Sequence, residues 1–168
     1  MFLVGFMGAG KTSVGQALAR RLGWRFIDLD DVIIAREGRS IAQIFRDAGE
    51  PAFRQAEANA LRTLLAANEH NETVVALGGG AFVQDENARA LQQAGVTVVF
   101  LDAPAEELRR RCAPRGHERP LFRDEAQFRN LYEARRQGYM KADVRIDTTG
   151  LSVHEVAAEV ARRLGLGG

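Results

Sequence analysis

A glycine-rich loop near the start of the chain constrains the fold more than any other feature. Residues 5–15 read GFMGAGKTSVG, and the pattern G-x-x-x-x-G-K-[ST] is complete from Gly5 to Thr12. A short apolar run, MFLVGF, leads into the loop, and an amphipathic stretch from Lys11 to Leu22 follows it. A strand, a glycine loop and a helix in this order form a phosphate-binding unit, because the loop N–H groups and the positive end of the helix dipole both face the anion.

The residue types in this loop predict a nucleoside triphosphate bound together with a metal ion. Lys11 supplies a mobile cation for the outer phosphates, and the hydroxyl of Thr12 is a hard oxygen ligand of the kind that Mg²⁺ prefers. The nucleotide-binding residues that the motif predicts are Gly8, Ala9, Gly10, Lys11, Thr12 and Ser13.

Beyond the loop, short apolar segments alternate with segments whose apolar residues recur at helical spacing. The expected strands are residues 1–6, 24–30, 73–77, 96–101 and 144–148. This alternation predicts an α/β fold with a parallel sheet flanked by helices, and such sheets bind ligands at the carboxyl ends of the strands. Ser40 is expected to cap one helix, and a long helix with Pro51 in its first turn is expected to follow.

The composition narrows the class of protein. The chain has 168 residues, which we expect to form a single domain, and its net charge of +1 gives no reason to expect a nucleic-acid or membrane partner. No apolar run approaches the roughly 18 residues of a membrane-spanning helix, and no charged leader precedes MFLVGF. The single cysteine, Cys112, is interpreted as structural. These features predict a cytoplasmic protein, and we expect a monomer.

Acidic residues follow the second predicted strand. Asp28 and Asp30 lie two residues apart, so their side chains would face the same way on an extended strand. One is expected to support the metal ion, and the other to accept a hydrogen bond or a proton from the hydroxyl of an acceptor molecule. Helix capping is the alternative role, and Asp31 is the candidate for it.

Three glycines, Gly78–Gly80, follow the third predicted strand. Glycine lets a backbone approach a ligand closely and offer its N–H groups, although a plain turn would use the same residues. The strand does not end in the aspartate that often supports the metal in P-loop proteins, so Asp28 is the natural candidate for that role.

Taken together, the motifs resemble those of the shikimate kinase family. The resemblance covers nearly the whole chain and lies in GFMGAGKTSVG, FIDLDD, IFRDAGEPAFRQAE, VVALGGGA, RPL and RRQGYMKAD. It implies a nucleoside monophosphate kinase-like fold with strand order 2-3-1-4-5 and a mobile lid. It also implies that ATP, with Mg²⁺, phosphorylates the 3-hydroxyl of shikimate to give shikimate 3-phosphate for aromatic amino-acid synthesis.

The resemblance assigns an acceptor site to helices at about residues 31–60 and to two arginines. Arg54 and Arg135 would bind the carboxylate of shikimate, since a guanidinium matches a carboxylate in shape and charge. Asp30 and Gly78–Gly80 would contact the rest of the ring. Glu57 follows Arg54 by three residues on the same helix face, so it can hold the guanidinium in place.

Three assignments remain open in the sequence. Arg136 is a rival of Arg135, because Gln137 and Gly138 stand where the family usually has proline and leucine before the tyrosine. Phe45 and Phe53 either wall the acceptor pocket, as the family pattern suggests, or belong to the ordinary core. The nucleotide base is expected to lie near Arg111 or Arg115.

A basic segment, RRRCAPRGHERPLFR, fits a lid at about residues 112–124. A lid excludes water and brings an arginine to the transferred phosphoryl group, and Arg119 in RPL matches the family's lid arginine. We therefore expect Lys11, Asp30 and Arg119 to be the catalytic residues.

Two other functions remain open. The first is a kinase of the same fold with another small acceptor, such as gluconate or a nucleoside monophosphate, against which the FRQAE and GGG segments argue. The second is a protein that uses the nucleotide as a switch. The paired Asp28 and Asp30, together with the lid arginine, argue against it.

Overall fold

Five parallel strands form the centre of the molecule. The computed structural model describes residues 1–67, 71–112 and 125–166. Within these residues one sheet has the strand order β2-β3-β1-β4-β5, which confirms the predicted fold class and order. The strands are β1 (Phe2–Val4), β2 (Arg25–Asp28), β3 (Thr73–Ala76), β4 (Val98–Asp102) and β5 (Val144–Asp147).

Seven helices in the described residues flank the sheet. They are α1 (Lys11–Leu22), α2 (Leu29–Glu37), α3 (Ile41–Ala66), α4 (Asp85–Gln93), α5 (Ala105–Cys112), α6 (Glu125–Tyr139) and α7 (Val153–Arg163). Helix α1 packs against α7 and against the sheet. None of the helices in the described part of the chain is long and apolar enough to cross a membrane.

The three central strands are mostly apolar and are buried along their whole length, as expected for a sheet covered on both faces. Their register places the important loops at one edge. Leu3 of β1 and Asp28 of β2 both stand opposite Ala76 of β3. The glycine loop after β1, the acidic residues after β2 and the glycines after β3 therefore leave the sheet at the same level.

The end of β2 differs from the prediction. The strand stops at Asp28, and α2 begins at Leu29, so Asp30 lies in the first helical turn rather than on an extended strand. Asp28 is the N-cap, and its Oδ1 accepts a hydrogen bond from the N–H of Asp30 at 3.1 Å. The prediction that Asp31 caps this helix is therefore wrong. Asp28 has extended backbone directly before the helix, and its side chain therefore accepts from an N–H group of the first turn that has no partner within the helix.

The predicted cap at Ser40 is confirmed. Its hydroxyl accepts from the N–H of Gln43, and the side chain of Gln43 accepts from the N–H of Ser40. The helix that Ser40 caps and the long helix predicted to follow it, with Pro51 in its first turn, are joined as α3 across a kink at Gly49, whose φ of 79° interrupts the helical backbone. Helix α6 continues through Gly138 and ends at Tyr139.

Helix α1 approaches the sheet closely at Gly15. A Cβ atom there would lie 2.5 Å from Cε2 of Phe26 and 3.3 Å from Cδ1 of Leu3. We expect Gly15→Ala to lower the free energy of unfolding by about 1–3 kcal/mol through overpacking, despite a helix propensity that favours Ala by about 1 kcal/mol. Urea unfolding measures this, with the exposed neighbour change Gln16→Ala as the control. A Gly15→Ala protein as stable as its parent would contradict the close packing.

Candidate active site

A cleft of about 1210 Å³ lies at the carboxyl ends of the strands. It exceeds the roughly 300–1,000 Å³ of a typical small-molecule pocket. The segments after β1, β2, β3 and β5 all line it, together with residues from α3, α5 and α6. The cleft therefore has room for two ligands side by side.

The glycine loop forms one wall of the cleft. Gly8 and Gly10 adopt φ values of 80° and 85°, a left-handed conformation that glycine tolerates best. Gly10 is also the N-cap of α1, so no side chain covers the first N–H groups of that helix. The end of α5 packs tightly on this loop, since a Cβ at Gly8 would lie 2.9 Å from the Sγ of Cys112. The loop thus presents backbone donors and a helix N-terminus to an anion.

Lys11 and Thr12 extend from this loop. The Nζ of Lys11 donates to the carbonyl oxygens of Gly5 and Phe6, at 2.8 and 3.1 Å, which folds the lysine back over the loop. The hydroxyl of Thr12 donates to Oδ2 of Asp28 at 2.8 Å. The N-cap of α2 is thereby tied to the first turn of α1.

The pairing of Thr12 with Asp28 fits a site for a divalent cation. A hydroxyl and a carboxylate oxygen lie beside the glycine loop, and both are hard ligands. The described residues contain no group of three or more histidine, cysteine or acidic side chains that could hold a metal alone. Mg²⁺ is commonly held by one or two protein oxygens together with phosphates and water, so these two residues match a cation that arrives with the nucleotide.

On the opposite wall, each of the three glycines faces a charged side chain. A Cβ at Gly78 would lie 2.9 Å from Oε1 of Glu57 and 3.3 Å from Oδ1 of Asp30. A Cβ at Gly79 would lie 3.4 Å from Nη1 of Arg135. A Cβ at Gly80 would lie 2.4 Å from Nη2 of Arg54. A side chain at Gly78 or Gly80 would displace Glu57 or Arg54, so glycine at these two positions lets the charged groups lie against the backbone.

Arg54 is anchored by two glutamates. Its Nη1 lies 2.8 Å from Oε2 of Glu57, and its Nη2 lies 3.1 Å from Oε1 of Glu50. The side chain of Glu57 is 1% exposed and that of Glu50 is 53% exposed. Burial works to lower the pKa of Arg54, but the two glutamates outweigh it and raise the pKa on balance. The guanidinium is thus held firmly in its charged form.

Glu57 has one oxygen without a hydrogen-bond partner among the described residues. This atom, Oε1, is buried, while Oε2 is bound to Arg54. Burial raises the pKa of Glu57, although Arg54 and Arg135 act in the opposite direction. Burying a carboxylate oxygen without a hydrogen-bond partner costs stability. The anchoring of Arg54 by Glu57 therefore lowers the free energy of unfolding relative to a fully paired arrangement.

The structure separates the two neighbouring arginines of α6. Arg135 is buried, lines the cleft and lies with its guanidinium carbon 5.9 Å from the ring centre of Phe6. Arg136 lies outside the cleft and donates to Oδ2 of Asp102 at 2.9 Å. Burial lowers the pKa of Arg135, and the positive charge of Arg54 contributes to this. Of the two rivals, Arg135 is therefore the one that the fold brings to Arg54.

The two phenylalanines, Phe45 and Phe53, pack against each other in the cleft. Their rings lie 4.7 Å apart, and both line the cleft. Phe53 is also part of the buried core, and the guanidinium carbon of Arg54 lies 5.1 Å from its ring centre. The pair forms an apolar floor beside the charged residues.

The far end of the cleft is formed by α5 and the segment after β5. Arg111 donates to the hydroxyl and the carbonyl oxygen of Thr148, at 3.2 and 3.0 Å. Leu151 and Val153 line the cleft next to it and are partly exposed. Sequence patterns did not identify these two residues, whose signal is that they are apolar among the mostly polar residues that follow β5.

The predicted lid lies almost wholly outside the described residues. Of residues 112–124 only Cys112 is described, so the predictions for Arg115 and Arg119 fall outside the structure.

Comparison with known proteins identifies the family. A sequence model described as shikimate kinase matches residues 7–165. The chain belongs to the shikimate kinase family. The shikimate kinase of Persephonella marina is 39% identical over 98% of both chains. That of Geobacter metallireducens is 45% identical over 95% of this chain and 88% of the relative.

Among solved structures, the shikimate kinase from Acinetobacter baumannii in complex with shikimate matches with a TM-score of 0.88. It is 35% identical, and the match covers 97% of this chain and 90% of the other. The shikimate kinase family likeness therefore extends over the whole cleft, from the glycine loop to the segment after β5.

The anchoring of Arg54 gives a test of the expectation that this arginine binds the acceptor. We expect Glu57→Gln to raise the KM for the acceptor by about tenfold or more, since a hydrogen bond to a charged group contributes about 1.5–3 kcal/mol. The KM for ATP should stay within about twofold, and the free energy of unfolding should fall, because the change leaves the mostly buried charge of Arg54 without its close partner. Steady-state kinetics and urea unfolding measure both.

Glu50→Gln is the matched control. Glu50 also accepts from Arg54 but is exposed, and an exposed ion pair contributes only about 0.2–1 kcal/mol. Equal effects of the two changes on the acceptor KM would show that the buried anchor has no special role.

Proposed function

We propose that the chain transfers the γ-phosphoryl group of ATP to the 3-hydroxyl of shikimate, giving shikimate 3-phosphate and ADP. The observation that carries this proposal is the division of one cleft into a phosphate-binding half and a half with two converging arginines. The family assignment and the shikimate-bound relative support the choice of acceptor.

The charges of the acceptor half favour a small anion with hydroxyl groups. Arg54 and Arg135 approach each other in a buried setting, where like charges disfavour each other. A carboxylate placed between the two guanidinium groups relieves that repulsion and accepts hydrogen bonds from both. Gly78–Gly80 bring the backbone close to the ring, and Asp30 stands beside Gly78 to receive a hydroxyl.

In the reaction we propose, the protein mainly positions the substrates and neutralises charge. Gly8–Ser13 bind the phosphates, and Lys11 leaves the carbonyl oxygens of its own loop to contact the outer phosphates. Asp30 orients the acceptor hydroxyl and takes its proton. Thr12 and Asp28 would hold Mg²⁺, which when bound neutralises part of the phosphate charge.

The remaining assignments belong to the same proposal. The nucleotide base lies against Arg111, Leu151 and Val153, where a guanidinium and apolar side chains line the far end of the cleft. Residues 1–168 act as one kinase domain, with a lid at about 112–124 that brings Arg119 to the phosphoryl group. The protein acts as a monomer in the cytoplasm, without a nucleic-acid or membrane partner.

A coupled assay of ADP release tests the acceptor. The purified protein is mixed with Mg-ATP and, in separate reactions, with shikimate, gluconate or CMP. We expect release that depends on shikimate alone. Release with gluconate or CMP instead would reassign the acceptor, and release that no acceptor stimulates would favour a nucleotide switch.

The two neighbouring arginines give a matched pair of variants. We expect Arg135→Ala to raise the KM for shikimate by about tenfold to a hundredfold with little change in the KM for ATP, because a charge-assisted contact of about 1.5–3 kcal/mol is lost. Arg136→Ala should leave both KM values within about twofold and instead lower the free energy of unfolding by about 1 kcal/mol, through loss of its hydrogen bond to Asp102. The reverse pattern in steady-state kinetics would make Arg136 the carboxylate-binding residue.

A further inference from the structure

The last turn of α6 docks on the segment that carries the three glycines. Tyr139 is 1% exposed, and its hydroxyl donates a hydrogen bond to the carbonyl oxygen of Gly79. Its ring packs against Phe100 of β4, with centres 5.1 Å apart. The hydroxyl is thus held at the inner side of the glycine segment, behind the wall of the cleft.

Arg135 lies one helical turn before Tyr139 and interacts with the same hydroxyl. Burial raises the pKa of Tyr139, while the charge of Arg135 and a hydrogen bond from it act in the opposite direction. A tyrosine hydroxyl can donate one hydrogen bond and accept another, so one oxygen can serve both neighbours. The hydroxyl donates to Gly79, and Arg135 lies against the same residue, since a Cβ at Gly79 would lie 3.4 Å from its Nη1.

Gly138 allows this approach. A Cβ atom there would lie 2.7 Å from Cγ1 and 3.4 Å from Cα of Val83, which follows the glycine segment. A larger residue would push the end of α6 away from that segment. Gly138 stands where the family usually has a larger residue, and the close contact with Val83 accompanies this difference.

We propose that Tyr139 is a positioning residue for the acceptor. Its buried hydroxyl fixes the peptide of Gly79 and the guanidinium of Arg135 relative to each other, so that both can contact one acceptor molecule. The inference rests on the proposed function, because it takes Arg135 as a carboxylate-binding residue. Nothing in it requires Tyr139 to touch the substrate.

Tyr139→Phe tests this role, since the change keeps the ring and its contact with Phe100 and removes only the hydroxyl. We expect the KM and the Kd for shikimate to rise about fivefold to tenfold, as the loss of one or two hydrogen bonds implies. The KM for ATP should stay within about twofold, and kcat should fall less than the KM rises. Steady-state kinetics and calorimetric titration with shikimate measure these values.

The chain offers a matched control on the same helix. Tyr132 is 7% exposed, and its hydroxyl donates to the carbonyl oxygen of Ala103 at 3.0 Å, outside the cleft. Tyr132→Phe therefore removes the same kind of buried hydrogen bond and should lower Tm by a similar amount without changing the KM for shikimate. If the two variants have the same KM for shikimate, Tyr139 is only structural and the proposal is overturned.

A second test keeps the hydroxyl of Tyr139 and shifts the end of α6 instead. Gly138→Ala should raise the KM for shikimate, and adding Val83→Ala should bring it back toward the parent value, because the shortened side chain makes room for the new Cβ. A KM that neither change affects would overturn the proposal.

The unaltered protein is measured in every series. Failure of its shikimate-dependent ADP release would refute the proposed function, whereas normal release with unchanged variants refutes only the role of Tyr139.

Discussion

The parallel pairing of β1 and β2 with β3 is the constraint on which the rest of the site depends. Because Leu3 and Asp28 both stand opposite Ala76, three segments leave the sheet at one level. A strand rises by about 3.3 Å per residue, and a slip of one residue also turns each side chain to the other face. The hydrogen bond from Thr12 to Asp28 would not survive such a slip. The chemistry at the edge therefore depends on the apolar strands behind it.

The acceptor half of the cleft is organised by charge before any ligand binds. Arg54 and Arg135 are desolvated on separate helices, and Glu57 compensates only one of them directly. The cost of burying these groups is met when the protein folds, so it is not incurred again when an anion arrives. In the function proposed above, the carboxylate of the acceptor therefore meets two guanidinium groups that are already in place.

Where a glycine or a serine determines the end of a helix, the local sequence was sufficient to predict that end. Helix α1 occupies its predicted residues between Gly10 and Gly23, which both adopt left-handed backbone. The cap of α2 was not predictable in this way, because several aspartates of equal chemistry stand close together and only the backbone conformation selects Asp28. Arg135 and Arg136 posed the same difficulty. Their separation is decided by Asp102, 34 residues from Arg136 in the sequence, which no local pattern reports.

Helix α6 shows how contacts outside the cleft can direct a side chain within it. On one side Tyr139 donates to Gly79, and on another side Arg136 donates to Asp102. Successive helical residues are about 100° apart, so the docking of Tyr139 on Gly79 limits the rotation of the helix about its axis. Arg135 then lines the cleft, while Arg136 points away from it toward Asp102. Two adjacent arginines of identical chemistry thus acquire different surroundings, one in the cleft and one in an ion pair outside it.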